Sequence, residues 1–176
     1  MDLNKSNEMR TKVLKTLEES YTKELIPAKL TEKDANGVEV LATIFDDLAI
    51  DGLESSGEFF FLPNKEGEEV MFFVNLITVS TELPESTLGE LMAAVSIINT
   101  YILAGAFSID PKAGALVFKH VHEMLMDLDE KTVTEYADLS MGIAISMVQQ
   151  YGYYLIEVKE GTRTADNVAK ALTSML

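Results

Sequence analysis

The chain has 176 residues and a formal net charge of −15 at pH 7, from 29 acidic and 14 basic side chains. Hydrophobic residues make up 47% of the sequence, which is enough for a folded core and excludes extensive disorder and fibrous repeats. Cysteine is absent and histidine occurs twice, which excludes disulfides, thiol nucleophiles and cysteine-based metal centres.

We expect one domain over residues 1–176, made of an N-terminal helix over 1–26, an α+β core over 27–160 and an appended C-terminal helix over 161–176. Residues 1–5 are polar and show no secretory signal, and no apolar window is long enough for a membrane span. These features favour a cytoplasmic protein without membrane association.

The first elements follow from the spacing of apolar residues. Steps of three and four predict an amphipathic helix over about 4–25, ending before Pro27. Residues 38–50 suit either a helix or a strand, and their β-branched content favours a strand. Strands over 58–62 and 70–80, joined by a turn rich in Pro, Asn and Gly, predict a β-hairpin.

A helix is predicted over about 88–103, because Thr87 and Glu90 have the spacing of a capping box. Strands over 107–109 and 115–124 form a second predicted hairpin around a turn that contains Pro and Gly.

Thr132 and Glu135 repeat the capping-box spacing before a long helix that reaches at least Tyr151, with Gly152 as a weak point. Thr164 is a suitable cap for a short last helix. The order is therefore α-β-β-β-α-β-β-α with a small helix appended. Hairpins cannot build a doubly wound parallel sheet, so we expect an α+β fold with an antiparallel sheet of about five strands covered by helices.

This order of elements occurs together with an Asn99 several residues before Gly105 and Phe107, followed by the strand over 114–122. In both respects the chain resembles the YbjN-like and class I type III secretion chaperone-like superfamily. The resemblance covers most of residues 5–158. It implies a small, acidic, non-enzymatic bacterial protein of the cytoplasm, commonly dimeric, whose established members bind an unfolded segment of another protein.

His120 and His122 are the candidate start of a metal site. They lie at i and i+2 of a predicted strand, which places their Cα atoms roughly 7 Å apart on one face. A third ligand at a diagnostic spacing is not visible, so a structural role is favoured. A small metal-binding protein or metal-dependent enzyme that uses these two residues is the alternative function.

Other chemistries lack a required element. The acidic residues near 46–54 and 127–130 do not follow the register of a calcium-binding loop, and neither Gly105 nor Gly114 begins a helix as a phosphate loop requires. No Gly-x-Ser-x-Gly motif and no basic stripe occurs. We therefore expect a protein that is not an enzyme, needs no cofactor and does not bind nucleic acid.

The strand over 70–80 and its partner over 58–62 are apolar on both faces, and the helix over 88–103 is apolar nearly all round. These surfaces are covered either by the chain's own helices, by a second copy of the chain or by a client polypeptide. A protein-interaction module that resembles a secretion chaperone or a YbjN-like regulator is the favoured function. Its candidate contact residues, some of which have to be core, are Phe59, Phe61, Met71, Phe73, Met92, Tyr101 and Ile102.

Overall fold

A computed structural model describes residues 3–174 of the chain. Four helices and six strands occur in this part, and their order along the chain is α-β-β-β-β-α-β-β-α-α. The elements are α1 (Leu3–Lys23), β1 (Ala28–Leu30), β2 (Leu41–Phe45), β3 (Ser55–Phe61), β4 (Val70–Ser80), α2 (Glu85–Ile98), β5 (Ala106–Asp110), β6 (Ala115–Leu125), α3 (Glu130–Lys159) and α4 (Ala165–Thr173).

The strands form one antiparallel sheet in the order β1-β2-β3-β4-β6-β5. The expected α+β class is confirmed, as are the strand within residues 38–50 and the hairpin of β5 and β6, in which Phe107 lies opposite Phe118. The sheet has six strands and not about five. The additional strand is β1, which pairs with β2 over only three residues and is too short for a period-two pattern to appear in the sequence.

The chain divides into two compact units. Unit 1 contains residues Met1–Phe45, Ser56–Leu76 and His120–Ile143, and unit 2 contains Asp46–Ser55, Ile77–Lys119 and Ala144–Leu176.

In unit 1, α1 and the first half of α3 pack on the same face of the sheet. Arg10 of α1 donates a hydrogen bond to the carbonyl of Leu62, at 3.0 Å, and lies over the ring of Phe61. The side-chain amide of Asn75, in β4, donates a hydrogen bond to the hydroxyl of Ser140 in α3, at 2.7 Å. Arg10, Asn75 and Ser140 are all buried.

In unit 2, α2 contacts both α4 and β5. The C-cap residue Asn99 follows α2, and its side-chain amide exchanges two hydrogen bonds with the backbone of Phe107. The appended helix α4 begins at the expected cap, because the side chain of Thr164 accepts a hydrogen bond from the backbone N–H of Asn167.

The two predicted capping boxes are wrong. The helix α2 begins after Pro84 without a side-chain cap, and the hydroxyl of Thr87 instead donates to the carbonyl of Lys159, at 2.9 Å. The carboxylate of Glu90 accepts from the backbone N–H of Ala165, at 2.9 Å, and so caps α4.

The helix α3 begins two residues earlier than Thr132, at Glu130, and Asp129 caps it by accepting from the backbone N–H of Thr132 at 3.1 Å. It continues without interruption through Gly152. Among the residues that the structure describes, no helix combines the length and the hydropathy that crossing a bilayer requires.

Candidate interaction surface

The strand β4 presents its two faces to different surroundings. The side chains of Met71, Phe73 and Ile77 are completely buried. On the other side of the strand, Phe72 is 37% exposed and Leu76 is partly exposed, while Val74 between them is 3% exposed. The face with the buried side chains is the one that α1 and α3 cover in unit 1, and side chains on the opposite face are partly exposed.

The neighbouring strands of unit 1 continue this second face. In β2, Ile44 is 43% exposed; at the end of β3, Leu62 is 40% exposed; and in β6, Val121 and Leu125 are 40% and 56% exposed. We call this surface the open sheet face of unit 1 and define it by Ile44, Phe60, Leu62, Phe72, Val121 and Leu125.

Hydrogen bonds between the strands set which of these residues are neighbours. The backbone N–H of Leu62 donates to the carbonyl of Phe72 at 2.9 Å, so these two residues lie opposite each other on β3 and β4. The N–H of Met126 donates to the carbonyl of Glu69, also at 2.9 Å, which by the same rule places Val121 opposite Val74 on β6 and β4. Val121 and Leu125 therefore lie diagonal to the exposed Leu62–Phe72 pair, since the residues opposite them on β4 are the buried Val74 and the partly exposed Val70.

Two exposed acidic residues, Glu58 in β3 and Glu123 in β6, lie on the open sheet face. The β4–β6 register places Glu123 opposite Phe72. The β1–β2 register places the exposed Lys29 opposite Ala42 on the same face, so the open sheet face of unit 1 carries two carboxylates and one ammonium group among its apolar side chains.

The candidate contact residues do not form one surface. Phe59, Phe61, Met71 and Phe73 are at most 4% exposed, and the Phe61 and Phe73 rings pack with centroids 4.9 Å apart. These four side chains belong to the core and cannot contact a partner in this fold. The helix packing of α1 and α3 decides which face is core, and strand periodicity alone does not reveal it.

The other three candidates lie in unit 2. Met92 of α2 is 59% exposed. Tyr101 and Ile102 are half-buried, and the Tyr101 hydroxyl lies 3.3 Å from that of Thr173 in α4. The appended helix therefore occupies part of the surface next to Tyr101.

Sequence reasoning did not select Leu62, Phe72, Val121 and Leu125. The signal that could have identified them is the alternation of side chains on β4. Phe72 points to one face of the sheet, and Met71 and Phe73 point to the other. Since both faces of this strand are apolar, the exposed face could be chosen only after the helices were placed.

His120 and His122 lie in unit 1 with ring centroids 6.3 Å apart, and His122 lies 5.9 Å from the ring of Tyr136. Burial, and secondarily the charge of His122, lowers the pKa of His120. Over the described residues, no group of three or more His, Asp or Glu side chains is arranged to hold a metal ion.

No known family model matches the chain, and no curated protein matches its sequence significantly.

Proposed function

We propose that this chain is a non-enzymatic protein-interaction module that binds an extended segment of another protein on the open sheet face of unit 1. The observation that carries the proposal is the exposure of Leu62, Phe72, Val121 and Leu125 on adjacent strands. Contiguous apolar surface of this kind is typical of interaction sites, because its burial against a partner is favourable.

Exposed apolar side chains are common one at a time, and their arrangement distinguishes this group. Leu62 and Phe72 are directly opposite each other, and on the next strand Val121 and Leu125 lie on either side of Glu123, the residue opposite Phe72. An extended segment laid across these strands would contact several rows at once, and aromatic and branched side chains are effective anchors in such contacts.

Charge favours a basic partner. The chain carries a net charge of −15, and on the open sheet face the two carboxylates of Glu58 and Glu123 outnumber the one ammonium group of Lys29. Complementary potential accelerates the encounter with a positively charged segment and disfavours an acidic one. A second copy of this chain would bring like charges together, so a basic polypeptide is the favoured occupant over a homodimer.

The resemblance of the sequence to secretion chaperone-like and YbjN-like proteins agrees with this role, since the established chaperones bind unfolded segments. We propose a cytoplasmic location for the same reason, with neither a cofactor nor a nucleic-acid partner. The exposed residues differ from the contact residues expected from the sequence, so the proposal moves the contact from Phe59, Phe61, Met71 and Phe73 to the opposite side of the same strands.

Site-specific photocrosslinking tests the proposal. A photoreactive phenylalanine analogue replaces Phe72 on the open sheet face and, as the control, replaces Leu139 of α3, which is 57% exposed on the helical side. After irradiation in cells, we expect position 72 to capture a basic segment that mass spectrometry identifies, and position 139 not to capture it.

The captured segment is then synthesised and its affinity is measured. Phe72→Glu is expected to weaken binding at least tenfold, because it places a charge among the apolar contacts, whereas Leu139→Glu should leave the affinity unchanged. Equal loss in both variants, or capture of an acidic segment only, would contradict the proposal. A dimer that Phe72→Glu converts to a monomer would identify a second copy as the occupant instead.

A further inference from the structure

The loop between β1 and β2 contains the one asparagine of the sequence that is followed by glycine, Asn36 before Gly37. Both residues are exposed. Gly37 has φ 76°, and a Cβ atom built on it would have nothing within 4 Å. Because glycine has no side chain, nothing on Gly37 obstructs its own backbone nitrogen or restricts its rotation. The side chain of Asn36 can therefore be reached both by that nitrogen and by water.

This pair of residues can react within the chain. The backbone nitrogen of Gly37 loses its proton to water and attacks Cγ of Asn36, the Cγ–Nδ2 bond breaks, and the side-chain nitrogen leaves as ammonia. The product is a five-membered cyclic imide. Water then opens the imide at either carbonyl, which gives aspartate or isoaspartate at position 36. The net reaction consumes one water molecule, releases one ammonia and needs no oxidant or cofactor.

Asp34 holds this part of the loop. Its Oδ1 accepts hydrogen bonds from the backbone N–H groups of Asn36 and Val38, both at 2.8 Å, and its Oδ2 accepts from Asn36 Nδ2 at 3.3 Å. Its backbone carbonyl accepts from the N–H of Gly37 at 3.0 Å. These bonds, that of Val38 foremost, lower the pKa of the Asp34 carboxyl, so the carboxylate is charged at pH 7 and is a strong acceptor.

The same hydrogen bonds oppose ring closure. The Gly37 nitrogen is the attacking atom, and its proton is bonded to the Asp34 carbonyl. The Asn36 amide has to turn its Cγ toward that nitrogen, and this movement breaks its bond to Asp34 Oδ2. The loop therefore has to open before the reaction, and an exposed loop held by few hydrogen bonds opens at a modest cost in free energy.

We propose that Asn36 is a site of spontaneous modification to aspartate and isoaspartate in the folded protein, at a rate limited by the hydrogen bonds of this loop to Asp34. Either product adds a negative charge two residues from the Asp34 carboxylate. Isoaspartate also adds one carbon atom to the main chain, three residues before Glu39, whose carboxylate accepts a hydrogen bond from the Thr11 hydroxyl of α1. The modification thus alters the segment that connects this loop to α1.

Peptide mapping of the aged protein tests the proposal. The native wild-type chain and a synthetic peptide of residues 31–40 are incubated at neutral pH and the same temperature, and mass spectrometry with electron-transfer fragmentation counts amide, aspartate and isoaspartate at position 36. We expect conversion in both, about fivefold slower in the native chain because its loop has to open first. The other asparagines of the native chain serve as internal references and should remain amides.

Three variants test the role of Asp34. Asp34→Ala removes the side-chain acceptor and should accelerate conversion of the native chain about fivefold. Asp34→Asn removes the charge but keeps an oxygen acceptor for the two backbone N–H groups, so its rate should stay close to that of the wild type. Glu32→Ala, the matched control, removes an exposed carboxylate of the same loop that takes no part in these hydrogen bonds, and should not change the rate.

Three results would overturn the proposal. The first is a native wild-type chain whose Asn36 is still an amide when the peptide has been fully converted. The second is an Asp34→Ala variant that reacts no faster than the wild type. The third is equal acceleration by Asp34→Ala and Asp34→Asn, which would assign the effect to the charge of Asp34 and not to its hydrogen bonds. The comparison of wild-type chain and peptide does not depend on how any variant folds.

Discussion

Asn99 and Phe107 exchange two hydrogen bonds of 2.9 Å each. The side-chain nitrogen of Asn99 donates to the carbonyl of Phe107, and the backbone N–H of Phe107 donates to the side-chain oxygen of Asn99. The primary amide thus behaves as a peptide group would. The Asn that precedes Gly105 and Phe107 in the sequence has a structural role here, and Gly105, at φ 78°, allows the backbone to turn between the two residues.

We expect Asn99→Asp to destabilise the fold by about 1–3 kcal/mol, because an ionised carboxylate accepts from Phe107 N–H but cannot donate to its carbonyl. The free energy of unfolding from urea denaturation measures the effect. Thr100→Ala is the control, since it removes an exposed hydroxyl that bonds the carbonyl of Ile97, and it should change stability by less than about 0.5 kcal/mol. Equal effects of the two substitutions would contradict this role of Asn99.

The adjacent residues Phe72 and Phe73 test which face of β4 is core. Phe73 is completely buried, so Phe73→Ala should cost about 3–5 kcal/mol in the free energy of unfolding. Phe72 is 37% exposed, and Phe72→Ala should cost less than about 1.5 kcal/mol. Thermal or urea denaturation of both variants gives the comparison. A larger loss for Phe72→Ala would mean that the open sheet face is buried in solution.

Two glycines of α3 have opposite surroundings. A Cβ atom at Gly152 would lie 2.9 Å from the Cβ of Ala49, whereas one at Gly142 would have nothing within 4 Å. Both substitutions to Ala gain the same helix propensity, so the difference between them isolates the steric effect. We expect Gly152→Ala to be less stable than Gly142→Ala by about 1–3 kcal/mol, measured by urea denaturation. Equal stabilities would show that Ala49 can move aside at little cost.

The free energy of unfolding should decrease as the pH is lowered, because of His120. Burial, and then the charge of His122, lowers its pKa in the folded protein, while the unfolded chain has an ordinary value near 6.5. Below about pH 6.5 the unfolded state therefore binds more protons at this position, and the free energy of unfolding decreases as pH falls until the folded pKa is passed.

His120→Gln should flatten the dependence of the free energy of unfolding on pH between 7 and 5, relative to the wild type. His122→Gln removes only the secondary cause and should flatten it less. Denaturation curves across this range provide the measurement. If His120→Gln retains the full slope, another group is responsible for it.

Much of the fold could be predicted because hairpins and helices leave local signals. The strand over 70–80 has the predicted bounds, and Thr164 caps α4 as expected. The incorrect capping predictions concern side chains that form hydrogen bonds with backbone groups distant in the sequence. Thr87 and Glu90 have the local spacing of a cap, yet they bond to Lys159 and Ala165, which are more than 70 residues away in the chain.

The site was less predictable than the fold. On β4 the side chains of both faces are mostly apolar, so the sequence does not distinguish the two faces. The packing of the helices determines which face is buried. The buried polar pair of Asn75 and Ser140 marks the covered face, but Asn75 appears in the sequence as one polar residue within an apolar strand. The exposure of Phe72 could therefore not be separated from the burial of Phe73 beforehand.

The amide of Asn99 also has a consequence for aggregation. The strand β5 is the outermost strand on one side of the sheet, where unpaired backbone groups could recruit a strand from another molecule. At Phe107 both groups are already bonded to Asn99, and on the other outermost strand, β1, only three residues are extended. Each border of the sheet thus offers little free backbone for edge-to-edge pairing with another molecule.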